Sequence, residues 1–464
     1  MSAAELAGHY RAGRLSPVET TQAVLDRIAA LNEPYNAYCL VDAESALAEA
    51  RRSEERWRRG APLSRIDGVP ASVKDLVITK GWPTLRGSHA VDPDQPWDED
   101  APATARLRED GAVLIGKTTT PEFGWKGVTD SALTGITRNP WNRDTTPGGS
   151  SGGAAVAAAL GMGCLHIGTD GGGSVRIPAG FTGIVGLKPS FGLVPAYPLS
   201  PFGTVSHLGP MTRTVEDAAL MLNTLSRPDH RDWHRLPYAG ADFTSGLDDG
   251  VSGLRMALST RLGYVAVDPQ IVALVEQAAK VLADLGAEVE ARDPGFDDPL
   301  EIFHAHWFTG AANLLRRFSP DKRALIETNL QRIAAEGAAI AHMDYIDAVD
   351  RRGALGMHME AFHQEFDILL TPTLPIPAFA AGRLAPEGTD QTNWTHWAPF
   401  SHPFNLTQQP AATVPCGFTS SGLPVGLQIV GAKYRDDLVL KVARAFERAR
   451  PVVLPDAAAL AGGP

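Results

Sequence analysis

"HIGTDGGGSVRIPAGFTG", residues 166–183, places three consecutive glycines directly before a serine. Glycine loses more conformational freedom on folding than any other residue, so such a run inside an ordered segment needs a structural reason. Without side-chain cover, the N–H groups of Gly171, Gly172, Gly173 and Ser174 are free to converge on one point and hold an oxyanion. The stretch therefore predicts an anion-binding loop that ends in a candidate nucleophile, Ser174.

The composition is that of a globular protein and argues against several functions. The 464 residues are 44% hydrophobic and 20% charged, which is ample chain for a sizeable core. A net charge of −11 argues against nucleic-acid binding. The longest apolar stretch, "AAVAAALGMGCL", is too short to cross a bilayer. The first residues also lack the apolar core of a signal peptide, so we expect a soluble protein that does not bind membranes.

The three cysteines, Cys39, Cys164 and Cys416, are scattered and lack the CxxC spacing of metal sites. They predict free, buried thiols in a reducing compartment, and hence a cytoplasmic protein without a metal.

Helical and strand-like apolar patterns alternate along the chain. The predicted helices lie at 16–32, 43–60, 103–110, 268–286 and 435–450, and the predicted strands at 68–79, 112–116, 254–260, 366–372, 411–418 and 425–432. This alternation predicts an α/β fold with a mixed, largely covered sheet. An Asp-, Gly- and Pro-rich segment at 225–253 predicts an excursion between two sheet-forming parts.

Two short motifs match in letters but not in context. "GAVLIGKT", residues 111–118, fits the phosphate-loop pattern, yet its four middle residues have the composition of a buried strand. "GGSSG", residues 148–152, fits the nucleophile-elbow pattern, yet the preceding "TRNPWNRDTTP" is too rich in turn formers to be a strand. We therefore predict neither a nucleotide site nor an elbow serine.

Three features make chemical sense together. Lys74 stands in a β-branched strand, where burial would lower its pKa and leave an amine that can act as a base. "PGGSSGG" holds two serines between glycine pairs, and "DGGGSVR" holds Ser174 after the glycine run. Considered alone, Lys74 would be interpreted more simply as a lysine on an edge strand. Likewise, "PGGSSGG" alone would be interpreted as a plain Gly/Ser turn.

Several long segments, in order, closely resemble the amidase signature family. They are "GVPASVKD", "GKTTTPEFGW", "TRNPWN", "PGGSSGGAAVAAALG…GTDGGGSVRIPAGFTGIVGLKPSFGLVP", "DILLTPTLPIPA" and "FNLTQQPAATVPCGF…GLPVGLQIVG". The resemblance implies the family's α/β fold, a large mixed β-sheet covered by helices on both faces. It also implies a single amidase domain over 1–464. Its parts are a helical segment at about 1–60, a signature core at 61–225, a variable middle at 226–365 and a return to the core at 366–464.

Carried over residue by residue, the resemblance implies Ser174 as nucleophile, Ser150 as a bridging serine in a cis peptide, and Lys74 as base. The oxyanion-hole amides fall on Gly171, Gly172, Gly173 and Ser174, and the supporting residues on Gly149, Ser151, Asp170 and Arg176. Residues expected near the substrate are Phe123, Trp125 and Thr169. Many family members carry threonine where this chain has Gly171, and the lost side chain predicts a wider pocket or a looser oxyanion hole.

The activity implied is cleavage of amide C–N bonds through an acyl-enzyme, without metal or organic cofactor. Apolar or aryl amides are the expected small-molecule substrates, with carbamates (urethanes) as a further class. The chain would act as a monomer or homodimer. The alternative is the A subunit of a glutamyl-tRNA amidotransferase, which releases ammonia from glutamine inside a complex. Amidotransferase members usually carry a polar "SSNE"-like stretch where this chain has the more apolar "TTTPEFGW", and this favours the free hydrolase.

Overall fold

An eleven-stranded mixed β-sheet organises the chain in a computed structural model that describes residues 1–237 and 240–456. The strands are β1 Tyr38–Val41, β2 Pro70–Lys74, β3 Val113–Thr118, β4 Asp130–Ser131, β5 Gly135–Ile136, β6 Leu165–Asp170, β7 Val185–Lys188, β8 His207–Thr212, β9 Arg255–Leu258, β10 Glu288–Ala291, β11 Ile368–Pro372, β12 Ala411–Phe418 and β13 Pro424–Gly431. Their order in the sheet is β1-β3-β2-β6-β8-β7-β12-β13-β11-β9-β10, while β4 and β5 form a separate two-stranded ribbon.

Helices cover this sheet. They are α1 Ala3–Arg11, α2 Pro17–Tyr35, α3 Ala43–Arg58, α4 Pro102–Glu109, α5 Gly152–Ala159, α6 Arg176–Thr182, α7 Val215–Leu225, α8 Pro269–Asp284, α9 Leu300–Leu315, α10 Pro320–Arg323, α11 Thr328–Ala339, α12 His342–Glu365, α13 His402–Leu406 and α14 Asp436–Ala449. Every residue of β2, β3, β7, β11 and β13 is buried. Successive side chains of a strand point to opposite faces, so both faces of the sheet are covered. The predicted α/β class and mixed sheet are confirmed.

The middle of the sheet positions the residues of interest. Strand β2 lies between β3 and β6 and runs parallel to both, so the carboxyl ends of the three strands meet at one edge. Lys74 is the last residue of β2, and Asp170 is the last residue of β6. The glycine run that follows Asp170 therefore begins beside the end of the lysine strand.

Several local predictions are confirmed, and one segment differs. The phosphate-loop match at 111–118 is largely β3, an interior strand, as its apolar residues predict. Ser16 caps α2 through a reciprocal hydrogen-bond pair with Glu19, which fits the predicted helix start. The segment predicted as helical at 1–60 also contains a strand, β1, because the chain between α2 and α3 pairs antiparallel with β3.

The sheet takes strands from all four predicted segments, since β1 comes from the first and β11 to β13 from the last. That the whole chain is one amidase domain stays a prediction, and the final eight residues of the predicted last segment, 457–464, lie outside the described residues.

Of the three free cysteines, only Cys164 is fully buried, so the prediction of three buried thiols is wrong for exposed Cys39 and partly exposed Cys416. Across the part of the chain that the structure describes, no helix has the length and apolar composition needed to cross a bilayer.

Candidate active site

The amine of Lys74 is fully buried and surrounded by hydroxyl groups. Its Nζ lies 2.6 Å from Ser150 Oγ, 2.9 Å from Ser151 Oγ and 2.8 Å from Thr169 Oγ1. No carboxylate lies within ion-pair distance of Nζ in residues 1–237 and 240–456. Burial lowers the pKa of Lys74 well below its ordinary value, and the charge of Asp170 opposes this only in part.

The loop that carries Ser150 is fixed by close backbone packing. The peptide bond between Gly149 and Ser150 is cis. A Cβ on Gly149 would lie 2.5 Å from the carbonyl carbon and oxygen of Val128, so only glycine fits there. Thr129 holds the two ends of this loop, because its Oγ1 donates to Gly148 O at 2.8 Å and accepts from Gly152 N at 3.0 Å.

Ser174 faces the same cavity as Ser150. The cavity, of about 270 Å³, has both serines, Thr169 and Gly171 in its wall. The amide of Ser151 donates to Ser174 O at 3.2 Å, which ties the two serine-bearing loops together. The hydroxyl of Ser174 makes no hydrogen bond to another described residue, Ser150 included.

The glycine run does not leave all four expected amides free. Gly173 has a φ of +119° and donates its N–H to Asp170 Oδ1 at 2.7 Å. This contact occupies one of the expected oxyanion-hole donors. The amides of Gly171, Gly172 and Ser174 donate to no atom within the described ranges of the chain.

A buried ion pair holds the loop around Ser174. Asp170 and Arg176 are both fully buried, and the guanidinium meets the carboxylate with two hydrogen bonds of 2.9 Å. The same carboxylate accepts from the amides of Gly173 and Val175 on either side of the nucleophile candidate. Burial raises the pKa of Asp170, but the charge and hydrogen bonds of Arg176 outweigh it, so this pKa lies well below the ordinary value.

Residues far along the chain complete this ion pair, and sequence reasoning missed them. Arg176 donates to Asn405 Oδ1 at 2.6 Å and to Gln428 Oε1 at 2.8 Å. Asn405 in turn donates to Asp170 Oδ1 at 2.8 Å, and Ser401 donates its hydroxyl to Gly172 O at 2.7 Å. The segment "FNLTQQPAATVPCGF", which contributed to the family resemblance, contains Asn405 and was the available signal.

Two of the three residues expected near the substrate line the cavity. Phe123 and Thr169 are in its wall, although Thr169 also contacts Lys74. Trp125 is fully buried elsewhere, and its indole N–H donates to Glu327 Oε2 at 2.9 Å. Sequence reasoning did not single out Phe202, which stacks on Trp307 in the cavity wall with ring centroids 3.9 Å apart.

The glycine at position 171 does not widen the pocket. A Cβ on Gly171 would lie 2.8 Å from Cζ3 of Trp307, so the indole fills the space that a side chain would take. The expectation of a wider pocket is therefore wrong at this position, because Trp307 replaces the missing side chain as a wall.

Nowhere in the described ranges do three or more His, Cys, Asp or Glu side chains group in a way that would hold a metal ion.

Comparison with known proteins identifies the family. Residues 19–440 match the amidase family. The chain belongs to the amidase signature family. An acylamidase of Rhodococcus erythropolis is 36% identical over 458 residues, covering 97% of this chain and 96% of that protein. The glutamyl-tRNA(Gln) amidotransferase A subunit of Cyanothece sp. is 34% identical over 463 residues, covering 94% of this chain and 95% of that protein.

Solved structures agree with this placement. A bacterial aryl acylamidase of the amidase signature family superimposes with a TM-score of 0.91 at 32% identity, covering 100% of this chain and 99% of that chain. The chain is an amide-hydrolysing enzyme of this family.

Replacing Asp170 by Asn tests the ion pair. Asp170→Asn leaves the Arg176 charge buried without its partner, so we expect the free energy of unfolding at pH 7 to fall by about 3–5 kcal/mol. The matched control is Asp248→Asn, which removes an exposed carboxylate 3.0 Å from Arg444 and should cost less than about 1 kcal/mol. Urea denaturation of the three proteins provides the measurement, and equal losses in both variants would contradict the prediction.

The same pair has a pH signature. Because folding lowers the pKa of Asp170, its contribution to stability is complete above the ordinary aspartate pKa of about 4. That contribution diminishes as the pH falls from there toward the folded-state pKa. The stability difference between wild type and Asp170→Asn should therefore shrink below about pH 4.

Proposed function

We propose that the chain hydrolyses apolar or aryl amides through an acyl-enzyme, with Ser174 as nucleophile, Ser150 as proton relay and Lys74 as base. The observation that carries the proposal is the contact of 2.6 Å between a fully buried lysine amine and Ser150, in the wall of the cavity that also holds Ser174. Serine is a weak nucleophile at neutral pH, so a base in this position is what the chemistry requires.

The surroundings of Lys74 suit a neutral amine. A neutral amine has two N–H groups and one lone pair, which matches its three hydroxyl contacts. Ser151 and Thr169 would accept the two N–H groups, at 2.9 Å and 2.8 Å, and the lone pair would accept the proton of Ser150. Burial lowers the pKa of Lys74 well below its ordinary value, which favours loss of the ammonium proton.

The relay would be completed when substrate binds. Ser150 would pass its proton to Lys74 and take one from Ser174, whose oxygen attacks the carbonyl carbon. The Ser174 hydroxyl is free of other partners among the described residues, so it can turn toward Ser150. Catalytic hydrogen bonds commonly tighten only in the substrate complex.

The oxyanion would be held by three backbone amides. We assign this role to Gly171, Gly172 and Ser174, whose N–H groups have no partner in the described chain, and not to Gly173. Fixed donors of this kind stabilise the charge that develops on the carbonyl oxygen in the transition state. The ion pair of Asp170 with Arg176 would keep the loop rigid during this step.

The return of the proton allows the amine to leave. An amide anion is a very poor leaving group, so Lys74 would deliver its proton through Ser150 to the departing nitrogen. A water molecule would then attack the ester on Ser174 with the same relay acting as base.

The cavity wall supports an apolar or aryl substrate. Phe123, Phe202 and Trp307 present aromatic surface beside the two serines. Aryl amides fit these rings, and aryl carbamates share their carbonyl bonded to nitrogen. The likeness to an acylamidase and an aryl acylamidase supports this substrate class.

A second candidate function is that of an amidotransferase A subunit. The 34% identity to such a subunit favours it. Against it stands Phe123, an apolar cavity residue in the segment where amidotransferases usually carry a polar stretch.

Ser174→Ala should lower kcat for an anilide on the order of a thousandfold or more. Lys74→Ala and Ser150→Ala should each lower kcat by a similar factor. Combining the substitutions should not multiply these losses, because the relay acts as a unit. The matched control is Ser206→Ala, a serine of the same cavity wall, which should stay within a few-fold of wild type. Full activity in a folded Ser174→Ala protein would reject the assignment.

Activity should rise with pH as Lys74 loses its proton. Because burial lowers the pKa of Lys74 well below its ordinary value of about 10.4, kcat/KM should level off before that pH. The rising limb should be missing from the residual rate of Lys74→Met. A limb that persists unchanged in this variant would assign the titration to another group.

The purified chain alone should hydrolyse an anilide faster than glutamine. This follows if the aromatic cavity binds apolar groups and no partner protein is needed. The measurement compares aniline and ammonia release by the single chain. Glutamine hydrolysis that appears only with a partner protein would instead favour the amidotransferase function.

A further inference from the structure

Two arginines stand in the wall of the cavity that holds the catalytic candidates. Arg86 lies in the segment that follows β2 and is half-buried, and Arg317 lies just after α9 and is exposed. Phe123 connects the two segments: its amide donates to Arg86 O at 2.8 Å, and its ring packs against Phe318 with centroids 5.4 Å apart.

Neither guanidinium has a partner in the part of the chain that the structure describes. Within residues 1–237 and 240–456, the side chains of Arg86 and Arg317 make no hydrogen bond and no ion pair. Arg352, which is also partly buried, instead donates to Leu406 O and to Thr204 Oγ1, each at 2.7 Å. A guanidinium carries five N–H donors in a fixed fork, so both arginines keep their donors for a molecule in the cavity.

The charges around the pair do not neutralise it. Burial lowers the pKa of Arg86, the carboxylate of Asp75 opposes this, and the positive charge of Arg317 adds to the lowering. The carboxylate of Asp75 also forms an ion pair with Lys117, whose buried amine lies 3.6 Å from Asp75 Oδ1. An anion bound between the two guanidiniums would relieve their repulsion and form charge-assisted hydrogen bonds.

The rest of the wall limits what that anion is attached to. Phe202 and Trp307 form a stacked aromatic surface, and Leu314 adds further apolar surface to the wall. A free inorganic anion would leave this surface uncovered, whereas an amide with an apolar body and one terminal carboxylate matches both parts of the wall.

We propose that Arg86 and Arg317 bind a carboxylate on the substrate, so that the preferred substrates are apolar amides that carry a carboxylate away from the scissile bond. This proposal rests on the function proposed above and narrows its substrate class.

Matched substrate pairs test the proposal from both sides of the scissile bond. The first pair places the charge on the acyl side, with the mono-4-nitroanilide of glutaric acid against the 4-nitroanilide of hexanoic acid. The second places it on the amine side, with N-butyryl-4-aminobenzoate against N-butyryl-4-toluidine. In wild type we expect kcat/KM for the charged member to exceed that of the neutral member by about tenfold or more in at least one pair.

Two variants assign the preference to the arginine. Arg317→Gln should reduce the charged-to-neutral ratio of kcat/KM by about tenfold, chiefly through KM, and Arg317→Lys should restore part of it. Arg316→Gln is the matched control, because Arg316 is also exposed but does not line the cavity, so this variant should keep the wild-type ratio. Arg317 is exposed, so its substitution keeps the test valid even if Arg86→Gln fails to fold.

The outcomes separate the two proposals. The carboxylate site would be overturned if wild type showed no preference for the charged member of either pair. It would also be overturned if Arg317→Gln left the preference intact, or if Arg316→Gln abolished it to the same extent. Failure of wild type to hydrolyse any of the four amides, or equal hydrolysis by Ser174→Ala, would instead overturn the proposed function.

Discussion

The arrangement of the site depends on one charge pair that is completely removed from water. Asp170 ends a central strand and Arg176 begins the helix after the glycine run, and the two are joined by two hydrogen bonds of 2.9 Å. Burying either charge alone would be very costly, so each residue requires the other. Because the carboxylate also binds the amides of Gly173 and Val175, the pair fixes the backbone on both sides of Ser174. Asn405, Gln428 and the carbonyl oxygen of Ser401 accept the other hydrogen bonds of the Arg176 guanidinium, so the C-terminal part of the chain is held to the same point.

Two buried basic residues near the site, Arg176 and Lys74, have very different surroundings. Arg176 has a carboxylate and keeps its place in the core as part of an ion pair. Lys74, about as deeply buried, meets only hydroxyl groups, and burial lowers its pKa well below the ordinary value. An unpaired buried lysine is a liability for stability, since the charged form is poorly solvated. The proposed function uses this property, because a relay to serine requires an amine that gives up its proton easily.

The cavity combines surfaces that attract different parts of a substrate. The stacked rings of Phe202 and Trp307 and the ring of Phe123 provide apolar area close to the two serines. The indole of Trp307 also occupies the space beside Gly171, so the glycine run and the aromatic wall are packed as a unit. Arg86 and Arg317 lie in the same wall, with no partner among the described residues, and the carboxylate proposal follows from this pairing of apolar and cationic surface.

The local features of this protein were predictable from the sequence alone. The α/β class follows from the alternating patterns, the strand of Lys74 from its β-branched residues, and the loop of Ser174 from its glycines, because each depends on backbone preferences over a few neighbouring residues. Tertiary structure alone decided the rest. In the tertiary structure, Asn405 accepts a hydrogen bond from Arg176, 229 positions earlier in the chain. Trp125 lies outside the cavity wall, whereas Arg317 is part of it. Trp307 also fills the space beside Gly171. These outcomes depend on how distant segments pack and on the direction in which each side chain points, and neither is encoded in the spacing of residues along the chain.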